Sequence, residues 1–169
     1  MNEKYMRTED AMFNTVISLL NDHDRDELTI KEVCIMTGIS RTTFYSHFES
    51  MEDVYSAMKK KHIRKEFYER NELLTKESRC EFVKYLKDNR QFFHIYPKLL
   101  DKAEMSSLFL SAKAKIKEYS SKNLDESKLL FLTSGYISCI TKEMIDSFSK
   151  PTDKIEEDLE DFIKLLHSF

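Results

Sequence analysis

The scarcity of glycine and proline constrains the fold of this chain more than any other feature of its sequence. Its 169 residues include 2 Gly and 2 Pro, where average usage would give about a dozen and about eight. Tight hairpins and βαβ turns draw on these residues. Glycine-rich phosphate loops need two close glycines, whereas Gly38 and Gly135 are far apart. The composition therefore predicts an all-α fold.

Membrane, disulfide-bonded and enzyme classes are also disfavoured. No run of about 18 apolar residues occurs, so no membrane span is predicted. The three cysteines, Cys34, Cys80 and Cys139, form no CxxC pair, which predicts a reducing cytoplasm and no zinc finger. The histidines are scattered without an HExxH motif, and no GxSxG motif is present. We therefore expect no enzyme, no metal and no cofactor.

Apolar residues at helical spacing run through most of the chain and predict about nine helices. We expect two domains: a three-helix domain over residues 1–50 and a larger helical domain over residues 51–169. Pro97 and Pro151 are predicted to stand at helix starts, where proline is tolerated. The predicted helices cover residues 8–20, 29–37 and 41–48, a long helix from 50 onward, then 76–96, 97–105, 106–122, 125–149 and 152–168.

Residues 29–50 include several residues that are typical of helix starts and ends. Thr29 and Glu32 have the spacing of a capping box, in which each side chain accepts a hydrogen bond from the backbone amide of the other residue. Gly38 suits the left-handed residue that ends a helix, and Ser40 and Ser50 suit the starts of the two helices that follow. Two helices joined at a glycine turn predict a helix-turn-helix unit, which lays its second helix in the DNA major groove.

The second helix of this unit divides into an apolar and a polar face. Phe44 and Phe48 stand four positions apart and are predicted to be buried. The remaining side chains are of kinds that bond phosphates and base edges, and Arg41 suits guanine O6 and N7. Residues 28–65 carry seven Lys or Arg against four Asp or Glu, although residues 1–28 are acidic. A helical hairpin without DNA binding shares the glycine turn, so this pattern alone leaves both interpretations open.

The segment GISRTTFYSHFESMED resembles the signature of TetR-family transcriptional regulators, G-[VI]-S-x-x-[TA]-[FLI]-Y-x-[HY]-F-x-[SND]-K-E-x-L. The resemblance covers residues 8–58, about a third of the chain, and beyond it only length and helical layout match. Met51 departs from the pattern, because it stands where the family has a lysine near a DNA phosphate. Fewer neutralised phosphates would give a shallower salt dependence. The matching residues are Gly38, Ile39, Ser40, Thr43, Phe44, Tyr45, His47, Phe48, Ser50 and Glu52.

The resemblance implies a site for double-stranded DNA on both helices of the unit. It places Thr29 and Tyr45 at phosphates, and it makes Arg41 and Thr42 the best candidates for base contacts. The implied DNA-binding residues are Thr29, Ser40, Arg41, Thr42, Thr43, Tyr45, Ser46 and His47.

The resemblance also implies a homodimer, because the last two long helices of family members pack as a four-helix bundle between subunits. Two subunits then supply two half-sites and select a palindrome. Gly135 costs about 1 kcal/mol relative to alanine within a helix, so we expect another helix to approach it closely. Packing within the chain is the alternative reading of these apolar stripes. The implied interface residues are Ile137, Met144, Ile155, Leu159, Phe162 and Leu166.

A small-molecule effector site in the C-terminal domain is a further implication of the resemblance. A ligand that prefers the arrangement unable to bind DNA would release the protein from its operator. Aromatic residues at helical spacing are also typical of an ordinary core, which is the alternative. The candidate lining residues are Tyr85, Phe93, His94, Phe109 and Tyr136, beside Phe92 and Tyr96.

Residues and resemblance together predict a cytoplasmic transcriptional regulator. We expect a repressor that binds a palindromic operator as a homodimer and is released by a small molecule. The alternatives are a helical protein-interaction module and an activator with a protein partner. The polar, cationic side chains of residues 41–43 favour DNA binding, since an interaction module has no need of them there.

Overall fold

The computed structural model describes residues 3–63, 75–120 and 124–168. These residues form nine α-helices, one short 3₁₀-helix and no strand, which confirms the predicted all-α fold. Within these ranges no helix combines the length and the apolar character needed to cross a membrane. The α-helices are α1 (Glu3–Asp22), α2 (Ile30–Thr37), α3 (Arg41–Tyr45), α4 (Met51–His62), α5 (Lys76–Asp88), α6 (Arg90–Leu99), α7 (Lys102–Tyr119), α8 (Glu126–Ile145) and α9 (Thr152–Ser168).

The chain divides into two compact units, Met1–Lys65 and Glu66–Phe169. This boundary lies after α4, which differs from the predicted boundary after residue 50. The physical reason is burial, since Val54, Tyr55 and Met58 of α4 are at most 1 % exposed. The Tyr55 hydroxyl also donates to the Arg25 carbonyl over 3.0 Å. Helix α4 is therefore the fourth helix of the N-terminal unit.

The N-terminal unit has an apolar core. Phe44 and Phe48 are buried, as predicted, and the rings of Phe48 and Phe13 lie 5.9 Å apart. Helix α1 begins at Glu3 rather than at residue 8, so it is longer than expected. Its buried residues lie at helical spacing on one side: Met12, Phe13, Val16, Ile17 and Leu20.

Several helix boundaries predicted for the C-terminal unit are wrong. The helix expected over residues 76–96 is broken at Asn89, whose side-chain amide donates to the Tyr85 carbonyl over 2.9 Å and so ends α5. Pro97 lies in the last turn of α6 rather than at a helix start. Helix α7 begins after a capping box formed by Asp101 and Glu104 and runs without a break through the boundary predicted between residues 105 and 106. Pro151 directly precedes α9, as predicted.

Helix α8 ends at Ile145, four residues before its predicted end at residue 149. Ser147 and Phe148 adopt φ values of 53° and 51°, in the left-handed region that residues with a side chain rarely occupy. A right-handed helix cannot continue through them. Phe148 is buried against Phe93, with ring centroids 6.4 Å apart, and this packing holds the turn.

The C-terminal unit buries a charge pair as well as apolar residues. Arg79 of α5 and Glu156 of α9 have side chains 6 % and 3 % exposed, and Arg79 Nε lies 2.8 Å from Glu156 Oε1. Glu160 approaches the same guanidinium at 3.5 Å. The pair joins two helices that pack along each other. An apolar cluster between α7, α8 and α9 consists of Ile116, Leu129, Leu132 and Leu166, with Tyr119, Leu124, Tyr136 and Phe162 packed against it.

Candidate nucleic-acid interface

Helix α2 starts at a reciprocal cap, as predicted. Thr29 Oγ1 accepts from the Glu32 amide over 3.3 Å. The Glu32 carboxylate accepts from the Thr29 hydroxyl at 2.7 Å and from the Thr29 amide at 3.0 Å. These two hydrogen bonds hold the pKa of Glu32 below its ordinary value. Thr29 is exposed at the N-terminus of α2, where the helix dipole favours an anion such as a phosphate.

Gly38 and Ser40 shape the turn between α2 and α3. Gly38 has φ 73° and ψ 30°, and its amide donates to the Cys34 and Ile35 carbonyls, which confirms the predicted left-handed helix end. Ser40 Oγ accepts from the Thr43 amide over 3.0 Å and caps α3. Phe44 is 0 % exposed, so the opposite side of α3 faces outward.

The outward side of α3 carries most of the predicted DNA-binding residues. Arg41 and Thr42 are exposed, and Tyr45 is 55 % exposed. Three hydroxyls are engaged locally: Thr43 Oγ1 lies 2.9 Å from Ser40 Oγ, and Ser46 Oγ donates to the Thr43 carbonyl over 2.7 Å. The outward side chains Arg41, Thr42 and Tyr45 take no part in these local hydrogen bonds.

His47 does not lie at the groove-facing position that the resemblance implied. Its side chain is 5 % exposed, and its ring stacks on Tyr5 of α1 at a centroid distance of 3.7 Å. Its Nδ1 atom lies 3.6 Å from Glu9 Oε1. Sequence reasoning missed this packing, because Tyr5 and His47 are distant in sequence and α1 was expected to begin only at residue 8.

Ion pairs brace α4 against the rest of the N-terminal unit. Arg25 pairs with Glu52, and its guanidinium carbon lies 5.2 Å from the centre of the Tyr55 ring. The hydrogen bond to Glu52 raises the pKa of Arg25. Lys61 near the other end of α4 pairs with Asp10. Met51, the departure from the family pattern, is the first residue of α4.

Three of the four residues that were predicted on α9 for the dimer interface are buried within the chain. Ile155, Leu159 and Leu166 are 4 %, 7 % and 1 % exposed, and Phe162 stacks on Tyr136 at 5.1 Å. Ile155, Leu159 and Leu166 therefore contribute to the core of the C-terminal unit, whereas Phe162 is only partly buried beside it. Ile137 and Met144 on α8 are partly buried.

Two large apolar side chains are exposed near the two ends of α8. Phe131 is 78 % exposed and Ile145 is 55 % exposed. Residues at helical spacing between them are exposed as well, and we call this set the α8 face. Its members are Phe131, Gly135, Ser138, Lys142 and Ile145.

Three of the predicted effector residues, Tyr85, Phe93 and His94, lie in one neighbourhood. Tyr85 and Phe93 have ring centroids 5.9 Å apart, and His94 Nδ1 lies 3.1 Å from Ser147 Oγ in the same neighbourhood. Tyr136 instead packs on Phe162 in the apolar cluster around Leu166. Phe109 is partly buried on α7. No group of three or more His, Cys, Asp or Glu in the described ranges is arranged to hold a metal ion.

Comparison with solved structures finds the same fold in transcriptional regulators. A TetR transcriptional regulator from Streptococcus agalactiae 2603V is similar over 97 % of this chain and 96 % of that chain, with a TM-score of 0.65 and 21 % identity. The dihydroxyacetone kinase operon activator DhaS is similar over 94 % of each chain, with a TM-score of 0.55 and 12 % identity. No protein-family model and no curated protein matches the chain. The resemblance to the TetR family is thus confirmed at the level of the fold.

Proposed function

We propose that this chain is a transcriptional regulator that binds double-stranded DNA through α2 and α3. The observation that carries the proposal is the exposed polar side of α3. Arg41 and Thr42 face outward there, because Phe44 is buried behind them and Ser40 caps the helix in front of them. The fold shared with solved regulators supports the same function and a cytoplasmic location.

The residue types on this surface suit separate tasks in DNA recognition. Arg41 can donate two hydrogen bonds to guanine in the major groove, which reads sequence. The exposed Tyr45 hydroxyl can donate to a phosphate, which fixes orientation. The hydroxyl and amide of Thr29 already donate to Glu32, so a phosphate near Thr29 would accept from other amides in the first turn of α2. A five-residue α3 offers few base contacts, so one unit alone reads a short half-site.

The test is the selection of bound fragments from the genome that encodes the protein, at two salt concentrations. We expect the wild type to enrich one short palindrome. Arg41→Ala is expected to weaken binding by about 1–3 kcal/mol and to relax the preference at one base of each half-site. Arg90→Ala is the matched control, because Arg90 is an exposed arginine of the C-terminal unit.

Equal enrichment by wild type and Arg41→Ala would contradict the role of α3. If the wild type enriches no fragment at low salt, the regulator proposal fails. The protein-interaction module then becomes the better account.

We propose further that two copies associate through the α8 face. An aromatic side chain that is 78 % exposed loses its contact with water when an apolar partner covers it. A Cβ atom built on Gly135 would meet nothing within 4 Å, so no packing within the described chain explains this helical glycine. A second α8 crossing at Gly135 supplies a reason, because the missing side chain lets two backbones approach.

The oligomeric state tests this interface. Light scattering is expected to give a dimer for the wild type and a monomer for Phe131→Glu. Leu110→Glu is the control, because Leu110 of α7 is an exposed leucine (63 %) outside the α8 face. A dimer that persists in Phe131→Glu and dissociates in Leu110→Glu would assign the interface to another surface.

The direction of regulation has two candidates. We propose repression with release by a small molecule at the aromatic group around Tyr85, Phe93 and His94, following the family resemblance. Activation is the second candidate, because DhaS, which shares the fold, is named an operon activator. A reporter gene behind the selected palindrome distinguishes them: deletion of the regulator raises expression under repression and lowers it under activation.

A further inference from the structure

Helix α8 ends in two consecutive left-handed residues, Ser147 and Phe148, with φ values of 53° and 51°. The Phe148 amide donates to the Glu143 carbonyl over 2.8 Å. The Ser147 amide donates to the Met144 carbonyl over 3.0 Å. These two hydrogen bonds define a Schellman helix end, whose left-handed position is usually a glycine. In α8 that position is Ser147.

Helix α2 has the same type of helix end with the usual residue. The Ile39 amide donates to the Cys34 carbonyl over 3.0 Å, and the Gly38 amide donates to the Ile35 carbonyl over 3.2 Å. Gly38 takes a φ of 73° without a steric penalty, because it has no Cβ atom. A residue with a side chain is disfavoured in this conformation by about fivefold to thirtyfold. Contacts outside the turn are therefore needed to hold the two residues that end α8.

Two contacts with α6 hold this turn. Ser147 Oγ lies 3.1 Å from His94 Nδ1, within hydrogen-bond distance. The Phe148 ring is 4 % exposed and meets the Phe93 ring edge to face, with centroids 6.4 Å apart. Phe93 and His94 belong to the aromatic group proposed above for the effector. The turn after α8 is thus held by the residues that an effector would contact.

The local sequence favours a later end for α8. Neither glycine nor proline stands between Ile145 and Pro151, so the sequence predicts a helix through residue 149. Such a helix leaves two residues before α9, which is enough to join two helices, and it lengthens α8 by about 6 Å. Phe148 would then leave Phe93. It would lie beside Ile145 on the α8 face, because side chains three positions apart on a helix are neighbours.

We propose that residues 146–149 form a latch with two states, the left-handed turn and a helical extension of α8. Ser147 is the positioning residue, which holds the turn through His94. An aromatic effector that takes the place of the Phe148 ring against Phe93 releases the latch, since a ligand favours the state that it binds better. Release adds the Phe148 ring to the α8 face and tightens the dimer. The inference rests on the proposed function, because the dimer and the effector group are proposed there.

The chain contains no tryptophan, so Phe148→Trp places a single fluorescent reporter at the latch. Its emission and its quenching by acrylamide measure the exposure of the ring at position 148, at a protein concentration low enough to give monomers. Ser147→Ala and Ser147→Gly are introduced into this variant and into the wild type. Both lack the hydroxyl, but alanine favours a helix whereas glycine accepts the left-handed turn. In the wild-type background, sedimentation measures the dimer dissociation constant.

Ser147→Ala is expected to shift the latch about tenfold toward the helix, because it loses one hydrogen bond and gains helix propensity. The tryptophan then emits at longer wavelength and is quenched more strongly. In the wild-type background the dimer becomes about threefold to tenfold tighter, because an aromatic ring joins the buried face. Ser147→Gly is expected to keep the tryptophan buried and the dimer no tighter than wild type, since the relief of strain outweighs the lost hydrogen bond. A merely structural role of Ser147 would affect dimer affinity equally in both variants.

The controls are Ser111→Ala and Ser111→Gly, because Ser111 is an exposed serine within α7. They should change neither the emission nor the dimer affinity. Equal emission and equal dimer affinity for Ser147→Ala and Ser147→Gly overturn the latch and leave the proposed function standing. If the wild type is a monomer at every concentration, the proposed dimer fails and the emission decides the latch. If circular dichroism shows that Phe148→Trp does not fold, the dimer dissociation constants decide it. Neither measurement uses DNA, so DNA binding is tested separately.

Discussion

In the N-terminal unit Phe44 is fully buried and Arg41 is exposed, whereas in the C-terminal unit Arg79 is buried and Phe131 is 78 % exposed. The N-terminal unit thus buries the aromatic residue and exposes the arginine, and the C-terminal unit does the reverse. An exposed polar helix face suits a charged, hydrated partner such as DNA. An exposed aromatic face suits a partner that removes it from water, such as another protein surface. The contrast supports the proposal that the two units bind different partners.

The largest expected loss of stability comes from replacing the buried residue Phe44. Phe44→Ala removes a side chain that is 0 % exposed, which costs about 3–5 kcal/mol of unfolding free energy. DNA binding is expected to be lost with it, while α5 to α9 keep their helical structure. Hydrogen exchange of each unit measures both effects.

Phe131→Ala is the matched control for that substitution. Its side chain is largely exposed, so the monomer should lose no more than about 0.5 kcal/mol. Its melting temperature is expected to depend less on protein concentration than that of wild type, because dimerisation no longer stabilises the fold. Equal losses for Phe44→Ala and Phe131→Ala would contradict the contrast between the units.

Breaking the buried charge pair should lower the free energy of unfolding nearly as much as Phe44→Ala does. Arg79→Ala leaves Glu156 buried with its partner removed, which costs about 3–5 kcal/mol for a pair of this kind. Replacing both residues, as in Arg79→Met with Glu156→Leu, is expected to recover most of that loss, because no uncompensated charge remains. Urea unfolding of the single and double variants measures the difference. If the double variant is no more stable than Arg79→Ala, the uncompensated charge of Glu156 is not the cause of the lost stability.

The smallest expected effect is a loss of folding stability at high pH that depends on Tyr55. Burial raises the pKa of Tyr55 to about 12, above the ordinary value of about 10. The unfolded chain therefore releases this proton first, and the stability that depends on it is present below about pH 10 and lost as pH rises towards 12. Tyr55→Phe should lack this loss, and it should cost about 1 kcal/mol at neutral pH through the hydrogen bond to Arg25.

Unfolding free energies between about pH 9 and pH 11 check this prediction. Tyr45→Phe is the control, because Tyr45 is 55 % exposed and belongs to the same unit. The unfolding free energy of Tyr45→Phe should depend on pH as that of wild type does. If it did not change with pH, the pH dependence would come from Tyr45 and not from Tyr55.

Features of the N-terminal unit that depend on neighbouring residues were predictable from the sequence. The caps at Thr29 and Ser40 and the left-handed Gly38 each involve residues at most four positions apart. The burial of Phe44 and Phe48 followed from their spacing on one helix. The candidate DNA surface follows from these local features.

Features that depend on distant contacts were not predictable. His47 is covered by Tyr5, which is far away in the sequence. The stripe on α9 has the same spacing whether it faces its own chain or another, so periodicity could not reveal that Leu159 and Leu166 are internal. The break at Asn89 carries neither glycine nor proline, the usual signs of a helix end.

The most direct test of the central claim is hydroxyl-radical footprinting of the protein on an enriched fragment. If two copies joined through α8 each place an α3 in the major groove, protection will fall in two patches related by a dyad. The patches will lie about one helical turn, or a multiple of it, apart. Arg41→Ala will weaken both patches equally. A single unsymmetrical patch, or protection unchanged in Arg41→Ala, would contradict the account.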